Sequence, residues 1–201
     1  MDSATFIYHF LQSCHHIDKE VTLAINSLHC PWSDSMWLFF SNREVWYIMY
    51  LIIVVFLFRN LGWRRAAIGV VSIILAVVCC DQLCNLSKAF FERLRPCWDE
   101  EMLAGGLRVL VGGGGPYGFF SAHAANAAGI AVCSAMVFRN DKTRRYNAYT
   151  VCILIWAFLV GLSRIFAGKH FFGDVMTGFA VGAAIAFVFG KASSAICRRK
   201  C

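Results

Sequence analysis

The chain has 201 residues, 59% of them hydrophobic and only 15% charged, with a formal net charge of +7. Its mean hydropathy is +0.59. Charged residues make up about a quarter of a soluble globular domain, so this composition excludes one and points to the bilayer. The positive charge is no sign of a nucleic-acid partner, because no basic stripe interleaved with aromatics lies on a soluble face.

From the start of the chain, Asp18, Lys19, Glu20, Pro31 and Asp34 interrupt each apolar run of residues 1–42 before it reaches spanning length. The stretch lacks the basic start and compact apolar core of a secretory signal. It reads as one or two amphipathic helices in the interface, anchored by Trp32 and Trp37, with an additional span there as the alternative.

Crossing a hydrocarbon core of about 30 Å takes roughly 20 helical residues. Five runs follow that approach this length. Val45 to Phe58 is short unless Arg59 snorkels. Ala66 to Leu86 carries Asp81 as its one charge, Phe119 to Phe138 and Ala148 to Ser163 carry none, and Phe171 to Gly190 holds Asp174 near its start. The predicted fold is an all-α membrane helical bundle. It divides into an interfacial segment (1–43), a membrane core (44–191) and a basic cytoplasmic tail (192–201).

Basic clusters follow the first, third and fifth spans: Arg59, Arg64 and Arg65; Arg139, Lys142, Arg144 and Arg145; Lys191, Arg198, Arg199 and Lys200. Cationic short loops stay on the cytoplasmic side, so these three ends face the cytoplasm. The connection from Lys88 to Tyr117 then lies outside, where Lys88, Arg93, Arg95 and Arg108 are balanced by Glu92, Asp99, Glu100 and Glu101.

Of the ten cysteines, Cys79, Cys80, Cys84, Cys133 and Cys152 fall inside spans, where cysteine acts as a small hydrophobe. Cys14, Cys30 and Cys97 are the ones an oxidising compartment would reach, and no pairing among them can be assigned. The ending Cys197 to Cys201 is no prenylation box, since the fourth residue from the end is Arg198.

The polar residues that hydrophobicity leaves unexplained gather in three segments at outer membrane ends. In the first, Lys88 and Arg95 stand seven residues apart, which on a helix is two turns and one face, and Pro96 ends or kinks that helix. Two cations there can point at one anion, or simply snorkel to headgroups. In the second, Ser121 is placed to cap the Ala-rich helix that follows, whose first N–H groups and dipole favour an anion, with His123 in the first turn. A plain cap beside an interfacial histidine is the other reading. In the third, Arg164 precedes His170 and Asp174. If His170 opens the fifth helix, Asp174 lies one turn on, placed to accept a proton from one ring nitrogen and leave the other free to attack. An ionisable group at membrane depth is functional by default.

Lys88, Arg95 and Arg164 bring three formal positive charges towards two histidines and one carboxylate. Such a set suits an anionic tetrahedral group and suits zinc or magnesium poorly, since those need more carboxylates or histidines and fewer neighbouring cations. Phosphoryl transfer needs cations for the non-bridging oxygens, a nucleophile and an acid, and each role has a candidate.

Lys88 to Pro96 fits K-x6-R-P, Phe120 to His123 resembles P-S-G-H, and Ser163 to Asp174 fits S-R-x5-H-x3-D. In this order they resemble the signature of the type 2 phosphatidic acid phosphatase superfamily, which includes the vanadium haloperoxidases and glucose-6-phosphatase. The likeness extends over about Val45 to Gly190. It implies that His170 attacks phosphorus to give a phosphohistidine, Asp174 orients it, and His123 protonates the leaving group. Lys88, Arg95, Ser121, Arg164 and the Ala122 N–H would hold the phosphate oxygens, with no metal and no cofactor. Phe120 stands where the family has proline and Ala122 where it has glycine. Alanine keeps the N–H but loses freedom at positive φ.

Asp81 lies seven residues before Lys88 on its face, roughly 10 Å deeper at about 1.5 Å per residue. It either tunes the site from below or bonds a neighbouring helix. The run Gly112 to Gly115 is no nucleotide loop, since no Gly-Lys-Ser/Thr follows, and reads as a flexible outer loop that admits substrate.

The expected function is hydrolysis of a lipid phosphate or diphosphate at the outer face of a bacterial inner membrane. Undecaprenyl diphosphate is the first substrate, with a lipid A phosphate, phosphatidylglycerophosphate and phosphatidic acid as alternatives. The partners are that lipid and the bilayer. The rival from another class is a non-catalytic lipid-phosphate carrier, which would not need both His170 and Asp174.

Overall fold

The computed structural model describes residues 3–200. Two N-terminal helices, α1 (Ser3–Asn26) and α2 (Pro31–Ser41), precede a 3-10 turn (Arg43–Trp46) and α3 (Tyr47–Leu61). Then come α4 (Trp63–Phe91), a short helix α5 (Glu100–Ala104), α6 (Ala122–Phe138), α7 (Asn147–Phe166) and α8 (Phe172–Lys200). Among the described residues the elements are helices and the loops between them, with one isolated antiparallel bridge, Leu94 to Tyr117. The all-α membrane bundle is therefore as expected.

Four segments are long and apolar enough to span: Arg43–Leu61, Trp63–Phe91, Asn147–Phe166 and Phe172–Arg198. The fifth, α6, has 17 residues, or about 25 Å at 1.5 Å per residue. It is the hub of the bundle, packed on α4, α7 and α8. Its run of Ala124, Ala125, Ala127, Ala128, Gly129 and Ala131 lets neighbours come close enough for backbone-to-backbone packing, as small residues do between membrane helices. Against it α8 presents Gly178 and Gly182, where an added Cβ would lie 2.6 Å from the Ser121 carbonyl oxygen and 2.1 Å from that of Ala125. The outer faces of α3, α4 and α7 leave Leu51, Ile52, Ile74, Val78, Ile155 and Phe158 exposed, an apolar belt suited to lipid.

The three basic clusters meet at one end of the bundle. Arg65, Arg139, Lys142, Lys191 and Arg198 line a single cavity of about 560 Å³, and Arg144 reaches Asn60 at 2.6 Å. Helix α8 runs on past Lys191 into the basic tail. Cys201 lies outside the described residues.

The N-terminal stretch forms two helices, and neither is a loose surface anchor. Asn26 is 1% exposed; its Nδ2 donates to the carbonyls of Arg108, Ile165 and Phe166, and its Oδ1 accepts the Arg108 N–H at 2.8 Å. Trp32 is exposed as an interfacial anchor would be, whereas Trp37 turns inward and stacks on Phe166 with ring centroids 4.1 Å apart. Cys14, Cys30 and Cys97 carry no bridge.

Candidate active site

The first motif does not form one continuous helical face. Helix α4 ends at Phe91, closed by Glu92 at φ 44°, so Lys88 stands in its last turn and Arg95 lies beyond it in extended backbone. Pro96 disfavours helical geometry at the residue before it, and the Arg95 N–H bonds instead to the Pro116 carbonyl at 2.8 Å. Arg95 Nε donates to the Tyr117 carbonyl at 3.0 Å, which aims the guanidinium across the loop.

Ser121 caps α6 as expected. It is fully buried, its Oγ accepts the Ala124 N–H at 3.5 Å, and its own N–H donates to the Asp174 carbonyl at 3.0 Å. Ala122 is then the first helical residue, whose N–H has no acceptor within the helix. His123 follows one residue on and faces the same space as Arg43, Arg95 and Arg164.

In the third motif α7 ends at Phe166 and α8 begins at Phe172, so His170 lies just ahead of the helix and does not open it. Asp174 sits within the first turn of α8. Its Oδ2 accepts the Phe171 N–H at 3.1 Å, a capping contact, and lies 3.5 Å from His170 Nδ1. That distance is long for a hydrogen bond, as such contacts often are before substrate tightens them. Burial pushes the His170 pKa down to about 4 against the opposing pull of Asp174, and the charges of Arg164 and Arg95 lower it further, so the imidazole is neutral at ordinary pH.

Arg95, His123 and Arg164 face one cavity of about 630 Å³, together with Ser41, Arg43, Gly112 to Gly114 and Lys169. His170 and Asp174 lie behind its wall, 3% and 0% exposed. Lys88 is not part of the wall; it stands half-buried at the α4 end. The glycine run is the roof, held by Lys169, whose Nζ bonds to the Gly113 carbonyl. Arg164 donates to Ser41 Oγ, so α2 supports the cavity from the side. A second groove of about 300 Å³ shares Arg43 and His123 with the cavity and runs between Trp46, Tyr50, Trp156 and Val160. A polar head in the cavity would thus continue into an apolar, aromatic-walled passage. Asp81 lines this groove and accepts from Asn126 Nδ2 at 2.8 Å, which ties α4 to α6.

Four charged residues at the site escaped sequence reading: Arg43, Lys169, Arg93 and Asp18. Arg43 resembles any membrane-flanking cation, and Lys169 and Arg93 sit at unspecified positions within the motifs. Arg93 donates to Asp174 Oδ1 and to Asp18 Oδ2, both at 2.6 Å. Among the described residues, no group of three or more His, Cys, Asp and Glu side chains is placed to hold a metal.

The PAP2 superfamily model matches residues 65–195. The chain is 33% identical to a lipid A 4'-phosphatase of Bacteroides thetaiotaomicron, over 83% of this chain and 72% of that protein. With a lipid A 4'-phosphatase of Porphyromonas gingivalis the identity is 32%, over 83% and 68%. The crystal structure of Aquifex aeolicus LpxE superposes with a TM-score of 0.66 at 26% identity, covering 86% of this chain and 93% of that one. A transmembrane PAP2 type phosphatidylglycerolphosphate phosphatase from Bacillus subtilis gives 0.72 at 20% identity, over 92% and 88%, a likeness of fold alone.

Proposed function

This chain belongs to the PAP2 superfamily and is a membrane phosphatase, and we propose that it removes the 4'-phosphate of lipid A. The observation that carries this choice is the identity of 33% and 32% with two lipid A 4'-phosphatases over most of the chain. It displaces undecaprenyl diphosphate, the first expectation from sequence, in favour of an alternative already weighed there. The geometry is compatible: an anion cavity opens onto an apolar groove, so a large amphiphile can place its head among cations and its chains in the bilayer.

In this reading the neutral His170 attacks phosphorus through Nε2, since Nδ1 faces Asp174. Arg95, Arg164, Lys88, Ser121 and the Ala122 N–H take the developing charge on the oxygens, and the positive end of α6 adds to them. His123 gives a proton to the departing sugar oxygen, then takes one from the water that cleaves the phosphohistidine and releases phosphate. The cavity lies at the end of the bundle away from the basic clusters. By the positive-inside rule that end faces outward, and the protein resides in a bacterial inner membrane with the site on the periplasmic side.

The test is phosphate release by purified protein from lipid A, undecaprenyl diphosphate, phosphatidylglycerophosphate and phosphatidic acid, with EDTA present, for the parent and His170→Ala. Preferred release from lipid A that disappears in the variant is the expected result. Preference for another lipid overturns the substrate, and binding without release from any of them establishes the carrier reading instead.

A further inference from the structure

The carboxylate beside His170 is fully buried. A buried carboxylate without a counter-charge is costly, yet no ion pair among the described residues joins it to Lys88, Arg95 or Arg164. Its ion-pair partner is Arg93, whose Nη1 lies 2.6 Å from Asp174 Oδ1. Arg93 is itself held from the far side. Nη2 lies 2.6 Å from Asp18 Oδ2 and donates to His15 Nδ1 at 3.1 Å, and the guanidinium sits 4.3 Å over the Phe171 ring. Both carboxylates therefore come from outside the loop that carries Arg93, one from α1 and one from α8.

Helix α1 also grips the start of α8 directly. Asp18 Oδ1 accepts the Gly173 N–H at 2.7 Å, and Thr22 Oγ1 accepts the Phe172 N–H at 2.9 Å while donating to the Asp18 carbonyl at 2.6 Å. The approach is close enough that a Cβ at Gly173 would fall 2.8 Å from Asp18 Oδ2. Lys19, the next residue, bridges to Asp99 at 2.7 Å and Glu101 at 2.6 Å, which fixes α1 to the outer loop as well.

We propose that Asp18 and Arg93 are positioning residues for the reaction: Asp18, carried on the N-terminal helix, orients Arg93, and Arg93 fixes the Asp174 carboxylate against His170. Asp174 has two oxygens to place. Arg93 occupies Oδ1 and the Phe171 N–H occupies Oδ2, which leaves the carboxylate one orientation, with Oδ2 towards the imidazole. The N-terminal helix is then part of the framework that aims the nucleophile, beyond any role at the membrane surface. The proposal rests on the reading of His170 as nucleophile.

The experiment measures kcat and KM for lipid A with Asp18→Asn, Arg93→Ala, the double variant and His170→Ala, in the full chain, with melting temperature as a check on folding. Asn keeps an acceptor for the Gly173 N–H and replaces the charged oxygen facing Arg93 by an uncharged amide nitrogen that cannot accept from it. Each single variant is expected to lower kcat by about 10- to 100-fold, the range seen when an outer partner of a metal-bound histidine is lost, with KM changed less than about threefold. The double variant should be no slower than Arg93→Ala, because both losses act through Asp174. Added guanidinium ion should restore rate to Arg93→Ala and not to His170→Ala, a response that general loosening of the fold does not give. Rates within twofold of the parent, a loss confined to KM, additive losses in the double variant, or no rescue would each overturn the proposal. Retained activity in His170→Ala would instead overturn the nucleophile on which it stands.

Discussion

Gly182 of α8 faces the Ala125 carbonyl of α6 so closely that a methyl group there would lie 2.1 Å from the oxygen. The contact holds together the two helices that carry the two histidine segments: His123 is in the first turn of α6, and Asp174 in the first turn of α8. Replacing Gly182 by alanine must push the helices apart, because the obstacle is backbone and cannot swing aside. Overpacking of this kind costs about 1–3 kcal/mol. Gly182→Ala should therefore lower the melting temperature in detergent and also reduce activity. An unchanged melting temperature would mean that α6 and α8 do not pack as described.

With His170 as the proposed nucleophile, its neutral state sets the acid side of the rate profile. A nucleophilic imidazole must be unprotonated, and burial has pulled its pKa down to about 4, assisted by Arg164 and Arg95 and opposed by Asp174. Activity on this limb should be complete at neutral pH and be lost only as pH falls through about 4, well below the ordinary histidine value of about 6.5. Asp174→Asn removes the group that raises the pKa, so the limb should move lower still while kcat falls by about 10⁴-fold, as when an orienting carboxylate is lost from a triad. The charged and titratable groups around the imidazole are Asp174, Arg95, Arg164 and His123, with Arg93 reaching it only through Asp174. A kcat/KM profile with its acid limb near 6.5 would contradict the buried, neutral nucleophile.

Much of this could be read from the residues, and the parts that could not share a cause. The spans, the capping Ser121 and the pairing of His170 with Asp174 are local: they depend on hydrophobic runs and on spacings of three or four residues, which helical geometry fixes. Lys88 and Arg95 were expected to share one helical face, but Pro96 and the pairing of the Arg95 N–H with Pro116 break the helix between them, and of the two only Arg95 lines the cavity. Arg93 and Asp18 were opaque for another reason. They are 75 positions apart and meet only through the docking of α1, and no period in the sequence encodes that. Trp37 looked like an interfacial anchor because Trp often is one; only the position of Phe166 reveals the stack that buries it.

Lys169 is a cation with a structural task in the cavity roof. It is 3% exposed, it bonds to the Gly113 carbonyl, and burial lowers its pKa. Lys169→Met removes both the bond to the glycine loop and one positive charge facing the anion. A hydrogen bond to a charged group contributes about 1.5–3 kcal/mol, or roughly 10- to 100-fold in an equilibrium constant. The expected outcome is a KM for lipid A raised by about that factor at its lower end, with kcat changed little, measured by steady-state phosphate release. A fall in kcat with KM unchanged would place Lys169 in the chemistry instead of the roof.

Asp81 had two readings, a tuner of the site or a tie between helices, and its bond to Asn126 at 2.8 Å joins α4 to α6 in the membrane. The bond stays in the groove that leads to His123, so the two readings predict different losses. As a tie, Asp81→Asn keeps a hydrogen-bond partner for Asn126 and should leave kcat within about threefold, while Asp81→Leu should lower stability by about 0.6–1.7 kcal/mol, the range for polar contacts between membrane helices. As a tuner, even the Asn variant would lose rate, because the charge itself would be what the histidine senses. The bond to Asn126 favours the first outcome. Measuring kcat and the melting temperature of both variants separates them, and a rate loss in Asp81→Asn at unchanged stability would reassign the residue to the site.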